Sequence, residues 1–234
     1  MSTSNFVSLY DTLSTLADEI GDSLVIIDGE CSWTYEDLYR ESSRVRDYLL
    51  SREGSRVLAI ETASLFFWAA GVIAVSGANG MFISLPDDEE QESSDLQSAL
   101  NVSARLSSRG ILEEVPAQSS SGSNAPQIHS FAGGSHTGRP FSLLATSGST
   151  GNPKIVMHSQ DALFALSRWQ RKILPFSARD RFSMLYPLST VASLRTLVNC
   201  IYSRACMART GRETLSLRDA VESLRKNQDR KSVV

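Results

Sequence analysis

The sequence predicts an α/β fold, a layered domain with a partly parallel sheet. Its 234 residues, 41% of them hydrophobic, suffice for one large domain or most of one. Segments typical of strands and helices alternate along the chain. One of the predicted helices, "SLFFWAAGVIAVSGAN", is apolar nearly all round, so both of its sides must be covered, as in a layered domain.

The first 50 residues predict a helix, a short pair of strands around Asp28 and Gly29, and a second helix. The second helix begins with a capping signal, because Thr34 can accept a hydrogen bond from its first turn and Asp37 favours the positive end of the helix dipole. Its apolar face is predicted to hold Leu38, Val45 and Leu49.

A β-α-β unit follows. "RVLAI" and "MFISLP" are the strands, the second stopped by Pro86, and the apolar helix between them is closed by Gly77 and Asn79. Such a unit makes the sheet at least partly parallel. The next segment, "DDEEQESSDLQSALNVSARLSSRG", begins acidic and ends basic, an order that suits a helix dipole and predicts a solvated helix.

The second half of the chain predicts a mobile surface loop and then more alternating elements. Residues 116–140 have the Ser, Gly, Asn and Pro content of a loop. Later, Ser159 can cap a helix with an apolar stripe made by Ala162, Ala165, Leu166, Trp169 and Ile173. The segments "RFSMLYPL", "SLRTLVNCIYSR", "ACMAR" and "SLRDAVESLRKN" repeat strand and helix, with a capping box at Ser216 and Asp219.

One glycine- and hydroxyl-rich stretch, "LLATSGSTGNPKIVMHS" (143–159), carries the functional signal. Gly148 and Gly151 let a backbone approach an anion closely, and exposed N–H groups in such a turn form an anion nest. Hydroxyl donors come from Ser147, Ser149 and Thr150, and Lys154 adds a positive charge. The stretch lacks the Gly-Lys-Ser/Thr of a Walker loop and the third glycine of a dinucleotide fingerprint. On these residues alone, a phosphate-binding flap and a plain exposed turn between two strands are equally favoured.

The stretch closely resembles the phosphate-loop signature of the adenylate-forming enzymes, the family of acyl-CoA synthetases, nonribosomal-peptide adenylation domains and luciferases. The family pattern is met at every position from Thr146 to Lys154. The Trp-Thr-Tyr strand and helix before it, and "ARDRFSMLYPLSTVASLRTLVNCIYSRACM" after it, also resemble the family, so almost the whole chain is covered. Only the loop matches residue by residue.

The resemblance implies an enzyme that joins a carboxylic acid to the α-phosphate of ATP, releases pyrophosphate and usually transfers the acyl group to a thiol. ATP and Mg²⁺ are then the cofactors, and the acceptor is coenzyme A or a phosphopantetheinyl carrier protein. Lys154 would be the catalytic residue, since a cation can neutralise the charge on the leaving pyrophosphate. The nucleotide phosphates would be held by Thr146, Ser147, Gly148, Ser149, Thr150, Gly151 and Lys154.

The chain also departs from the family pattern. Thr190, three residues after Pro187, stands where the family carries an aromatic residue or histidine. The later adenine, ribose and C-terminal lysine motifs have no counterpart before Val234. We therefore expect residues 1–228 to be the N-terminal part of an adenylate-forming domain, inactive by itself. The alternative is a non-catalytic nucleotide-binding subunit or pseudoenzyme with the same half-fold.

The last six residues, 229–234, predict a sequencing artefact. "DRKSVV" is the translation of GATCGGAAGAGCGTCGTG, which resembles a common sequencing adapter whose next codon, TAG, is a stop. This explanation predicts that the natural reading frame continues, and the alternative is a basic tail that ends in two valines.

Composition argues against several other classes. A net charge of -3 with no cationic stripe disfavours nucleic acid, and the longest apolar run is about half a membrane span. The N-terminus lacks the pattern of a signal peptide, so a cytoplasmic protein is expected. Cys31, Cys200 and Cys206 are expected to be reduced, buried thiols. His129, His136 and His158 lack the ligand spacing of a metal site, and His158 is interpreted as structural.

Overall fold

The computed structural model describes residues 8–54, 56–85, 100–115, 128–129, 140–146 and 154–209. The helices are α1 (Leu9–Ile20), α2 (Tyr35–Leu50), α3 (Leu65–Ala78), α4 (Gln160–Ile173) and α5 (Val191–Ser203). The strands are β1 (Leu24–Asp28), β2 (Cys31–Thr34), β3 (Val57–Glu61), β4 (Met81–Leu85), β5 (Ala104–Ser107), β6 (Leu112–Glu114), β7 (Ile128–His129), β8 (Pro140–Thr146), β9 (Lys154–Ser159), β10 (Arg181–Ser183) and β11 (Cys206–Arg209).

The described strands form two sheets. The first has the order β10-β11-β1-β2, with β11 parallel to both β1 and β10 and with β1 and β2 forming an antiparallel hairpin. The second has the order β6-β5-β3-β4-β8-β9-β7, and its central strands β5, β3, β4 and β8 are parallel. The predicted α/β class, the partly parallel sheet and the β3-α3-β4 unit are therefore confirmed.

Helix α3 lies between the two sheets, as its apolar surface predicts. It packs on β1 of the first sheet and on β3, β4 and β5 of the second, and α1 and α2 flank it. Trp68 is fully buried, and its indole N–H donates to Ser84 Oγ at 3.0 Å. Asn79, in the left-handed conformation, ends the helix as predicted. Gly77 does not end it but lies within its last turn against the ring of Tyr10. No helix in the described part of the chain has the length and apolarity of a membrane span.

The Trp-Thr-Tyr segment joins several elements at the start of α2. The predicted cap is confirmed, because Thr34 Oγ1 accepts from the Asp37 N–H (3.2 Å) and Asp37 Oδ2 accepts from the Thr34 N–H (3.1 Å). These bonds to Thr34 hold the pKa of Asp37 below its usual value. Trp33 stacks on Phe66 of α3, with the two ring centroids 4.7 Å apart. The buried Tyr35 hydroxyl donates to the carbonyl of Ala205 at 2.8 Å. The segment therefore fixes α2 against both α3 and the turn before β11.

The solvated helix predicted for 87–110 is wrong at its C-terminal end. Residues 104–107 form strand β5, which pairs in parallel with β3, while 87–99 lie outside the described residues. Ala104 and Leu106 are buried and alternate with partly exposed neighbours, the period of a strand. Arg105 reaches Glu61 of β3 at 3.4 Å, so its charge serves a cross-strand pair and not a helix end.

Two other predicted segments are described only in part. Within the loop expected at 116–140, Ile128 and His129 form strand β7 along β9, and Pro140 begins β8. The helix predicted from "SLRDAVESLRKN", with its capping box at Ser216 and Asp219, lies outside the described residues.

Candidate functional site

The glycine- and hydroxyl-rich loop lies in a hairpin between β8 and β9. The two strands pair antiparallel from Pro140 opposite Ser159 to Thr146 opposite Lys154. The apolar segments "FSLLAT" and "KIVMH", which the sequence predicts as strands on either side of the loop, are confirmed as parts of β8 and β9. The first and last residues of the predicted site face each other across the ladder. The remaining predicted site residues lie outside the described residues: Ser147, Gly148, Ser149, Thr150 and Gly151.

The base of this hairpin is anchored in the sheet. Strand β8 pairs on its other side with β4, so it is an inner strand of the seven-stranded sheet. Leu143 and Ile155 are buried in one apolar cluster, and Phe141 packs edge-on against Phe82 at 5.2 Å. Because packing fixes both strands, the two ends of the loop are held at a defined separation.

The hairpin also places the loop at one particular edge of the sheet. Strands β3, β4, β5 and β8 are parallel, so their carboxyl ends share an edge, and the loop leaves β8 at that edge. Ligands of open α/β sheets bind beyond the carboxyl ends of the strands. Strand β4, the partner of β8 on its other side, ends with Leu85 at this same edge.

Two residues that the sequence analysis singles out, Ser159 and Thr190, cap helices. Ser159 Oγ accepts from the Ala162 N–H at 3.2 Å, which confirms the predicted start of α4 directly after β9. Thr190, at the position where the resembled family carries an aromatic residue or histidine, begins α5. Its Oγ1 accepts from the Ser193 N–H (3.3 Å) and donates to the carbonyl of Pro187 (2.9 Å).

His158 lies in β9 opposite Ser142 and is partly buried. Burial lowers the pKa of His158, because a charged imidazole loses hydration there. Within the described ranges, no group of three His, Cys, Asp or Glu residues could hold a metal ion.

The cysteines are all free but differ in environment. Cys200 and Cys206 are buried, as expected. The expected burial of Cys31 is wrong, because this residue begins the edge strand β2 and is exposed. The residues beside Cys31 in the sequence, Glu30 and Ser32, are both polar, so no hydrophobic pattern there indicates whether its side chain is buried or exposed.

The fold and the hairpin together define a class of protein, two-sheet α/β domains that carry a glycine- and hydroxyl-rich loop at a sheet edge. The AMP-binding enzyme family matches residues 69–226, which is more than half of the chain. The chain belongs to that family.

Solved structures share this fold at low identity. The N-terminal subdomain of Klebsiella oxytoca NpsA, in complex with 3-hydroxybenzoyl-AMSN, superposes with a TM-score of 0.73 at 17% identity, over 98% of this chain and 60% of that one. The nonribosomal peptide synthetase FmoA3, in its AMPPNP-bound form, superposes with a TM-score of 0.77 at 17% identity, over 97% of this chain and 25% of that one. The inhibitor-bound N-terminal domain of FACL13 from Mycobacterium tuberculosis superposes with a TM-score of 0.74 at 13% identity, over 97% of this chain and 62% of that one. The chain therefore spans less than two thirds of each of these proteins.

Proposed function

We propose that the parent protein activates a carboxylic acid as an acyl-adenylate with ATP, and that this chain supplies the phosphate-binding part of its site. One observation supports this most strongly: the loop with the family's signature sits in an anchored hairpin at the carboxyl edge of the parallel strands. Membership of the AMP-binding enzyme family agrees with it.

In this proposal the loop holds the β- and γ-phosphates. The hydroxyls of Ser147, Ser149 and Thr150 donate to phosphate oxygens, and the backbone at Gly148 and Gly151 approaches them closely. Lys154, at the paired end of β9, places its charge where pyrophosphate leaves. An anchored pair of strands favours this role because donors fixed in advance need no reorganisation as charge develops.

The donors of this loop fit a polyphosphate and not a bare metal ion. They are hydroxyls, backbone amides and an ammonium group, and the stretch from Thr146 to Lys154 has no carboxylate. Mg²⁺ prefers oxygen ligands and commonly binds together with substrate phosphates, where it neutralises charge. We therefore propose that Mg²⁺ arrives bound to ATP.

The acyl acceptor is proposed to be a thiol, either coenzyme A or a phosphopantetheinyl carrier protein. The fusion of NpsA to the carrier protein ThdA, an artificial adenylation–carrier di-domain, shares this fold with a TM-score of 0.76. A cytoplasmic location is proposed with it.

The test is carboxylate-dependent exchange of labelled pyrophosphate into ATP, measured on the protein encoded by the transcript. Lys154→Ala is expected to lower kcat/KM for exchange on the order of 10²-fold, because it removes a preorganised cation. Lys172→Ala, an exposed lysine of α4, is the matched control and is expected to leave exchange unchanged.

Equal exchange in the Lys154→Ala and wild-type proteins would contradict the role of Lys154. A transcript-encoded protein that binds ATP but shows no exchange with any amino, aryl or fatty acid would favour the non-catalytic subunit.

A further inference from the structure

A cavity lies at one edge of the first sheet, at the amino ends of its parallel strands. Leu24, Arg181 and Cys206 are the first residues of β1, β10 and β11, and all three line it. Ile20, at the end of α1, and Arg204, directly after α5, complete two of its sides. The volume is about 460 Å³, within the roughly 300–1,000 Å³ that is usual for small-molecule sites. We refer to this space as the amino-edge cavity.

The lining of the amino-edge cavity is cationic, with Arg179, Arg181 and Arg204. Asp180, the one acidic residue among the described residues that line it, is buried, and its Oδ2 accepts from the N–H and Oγ of Ser177 at 2.7 and 3.0 Å. These bonds fix the turn that carries Arg179 and Arg181 on either side of Asp180. Burial raises the pKa of Cys206 to about 11, and the charge of the neighbouring Arg181 acts in the opposite direction.

The two helix ends beside the cavity do not explain its arginines. The C-termini of α1 and α5 are the negative ends of their helix dipoles and can attract cations. Their terminal carbonyls, however, are bonded to the backbone, since Ile20 O accepts from the Ser23 N–H at 2.9 Å and Cys200 O accepts from the Ala205 N–H at 3.0 Å. The arginine side chains are therefore not required as partners for these carbonyls.

The backbone of Arg204 gives a second reason to look for a ligand. Its φ is 59°, in the left-handed region, where glycine or asparagine is the usual residue after a helix. Arg204 forms an ion pair with Glu19, but the two side chains are 49% and 45% exposed, and such a pair adds little stability. An arginine at this position is better explained by what its guanidinium binds than by its contribution to the fold.

We propose that the amino-edge cavity binds a small organic phosphate, with the phosphate group on the arginines and the apolar part against Ile20 and Leu24. Guanidinium groups match the geometry of phosphate oxygens and bind them in pairs of hydrogen bonds. Three arginines against one carboxylate suit a ligand with two negative charges. Leu24 is 44% exposed, so an apolar surface is available beside the cations.

This site is separate from the candidate phosphate loop. The residues that line the cavity belong to the first sheet, its turns and the ends of α1 and α5, and none belongs to the β8–β9 hairpin. The inference therefore goes beyond the proposed function and does not depend on it.

The experiment is isothermal titration calorimetry of the 234-residue chain at constant ionic strength, with phenyl phosphate, inorganic phosphate and benzoate as probes. Phenyl phosphate is expected to bind most tightly, because inorganic phosphate lacks the apolar part and benzoate has a single charge. Arg181→Gln is expected to raise the Kd of phenyl phosphate about tenfold or more. Arg168→Gln removes an exposed charge outside the cavity and should leave the Kd unchanged. Lys154→Ala, which takes the cation from the phosphate loop, should leave it unchanged too.

Two further variants separate binding from stability. Arg204→Gly is expected to raise the Kd of phenyl phosphate about tenfold while the Tm stays equal or rises, because glycine relieves the left-handed backbone. Glu19→Gln is expected to lower the Kd several-fold, because it removes the carboxylate that competes for Arg204. A merely structural Arg204 would give the opposite result, a lower Tm for Arg204→Gly and the same Kd in both variants.

Three results would overturn the proposal. These are the absence of saturable phenyl phosphate binding, an equal Kd in the wild-type and Arg204→Gly proteins, and binding that Lys154→Ala weakens as much as Arg181→Gln does, which would place the anion in the loop. Tighter binding of benzoate than of phenyl phosphate would likewise overturn the assignment of a phosphate. Absence of pyrophosphate exchange with these binding results intact would refute the proposed function alone.

Discussion

At the scale of single residues, environment separates three chemically identical thiols. Cys200 is fully buried at the end of α5, where its Sγ donates to the carbonyl of Ala205 at 3.0 Å. Burial raises the pKa of Cys206 to about 11 and that of Cys200 well above its usual value. Cys31 is exposed on the edge strand β2. Because the thiolate is the reactive form, burial protects Cys200 and Cys206 both sterically and electrostatically.

This difference predicts the thiol reactivity of the folded chain. With an aromatic disulfide reagent at pH 8, Cys31 is expected to react quickly, and the other two thiols only when the fold opens. In urea all three should react at similar rates. Cys31→Ser should remove the fast phase and leave the slow one. Two fast thiols in the native protein would show that the end of α5 or the start of β11 is not packed as described.

At the scale of elements, α3 offers a test of packing at two glycines. A methyl group added at Gly77 would lie 2.7 Å from Cγ and 2.8 Å from Cβ of Tyr10, atoms close to the backbone of α1 that cannot move away easily. At Gly71 the nearest atoms, each at 2.9 Å, are Ile60 Cδ1 and Leu106 Cδ2, the mobile ends of flexible side chains. The two positions therefore differ in how far the surroundings can adjust.

Gly77→Ala is expected to lower the free energy of unfolding by about 1–3 kcal/mol, because overpacking against Tyr10 outweighs the helix propensity gained. Gly71→Ala is the matched control, and its free energy of unfolding is expected to stay within about 1 kcal/mol of the wild-type value. Urea unfolding followed by circular dichroism measures both. A stabilised Gly77→Ala protein would mean that α1 does not contact α3 at this turn.

The elements also show which features a sequence can predict. The caps of α2 and α4 are predicted correctly because each is completed within three residues, as Thr34 with Asp37 and Ser159 with Ala162. Strand β5 is missed because its partner β3 lies more than 40 residues away, and a basic C-terminal end resembles a helix end. The stripe on α4 predicts the helix correctly but not which face is covered, since that depends on elements distant in sequence.

The candidate site divides in the same way. Its residue types can be predicted from the stretch Thr146 to Lys154, and the two flanking strands from the apolar segments on either side of that stretch. Its placement beside β4, at the carboxyl edge of four parallel strands, cannot, because the order of strands in a sheet is set by long-range pairing.

At the scale of the whole molecule, one ion pair joins the two sheets through α3. Arg209, at the end of β11, donates from Nε to Asp28 Oδ1 (3.0 Å) and from Nη2 to Asp28 Oδ2 (2.8 Å). The same guanidinium donates to the carbonyl of Ala63, and Asp28 Oδ2 accepts from the Leu65 N–H at 3.0 Å. Both side chains are nearly buried, at 9% and 12% exposure. The pair thus attaches the start of α3, which leads into β4 of the second sheet, to β1 and β11 of the first.

Removing one member of this ion pair is expected to lower the free energy of unfolding more than removing both charges does. Arg209→Met leaves the Asp28 carboxylate almost buried without its cation, so the free energy of unfolding is expected to fall by about 3–5 kcal/mol. The double variant Asp28→Asn/Arg209→Met removes the stranded charge and keeps an acceptor for the Leu65 N–H, so it should be more stable than Arg209→Met alone. Arg204→Met, which breaks an ion pair with Glu19 whose members are 49% and 45% exposed, is the control and should cost at most about 1 kcal/mol. Urea unfolding of five proteins measures these differences: the wild type, Asp28→Asn, Arg209→Met, the double variant and Arg204→Met. If the double variant loses the sum of what its two single variants lose, the two side chains are not coupled and the sheets are held together by apolar packing on α3 alone.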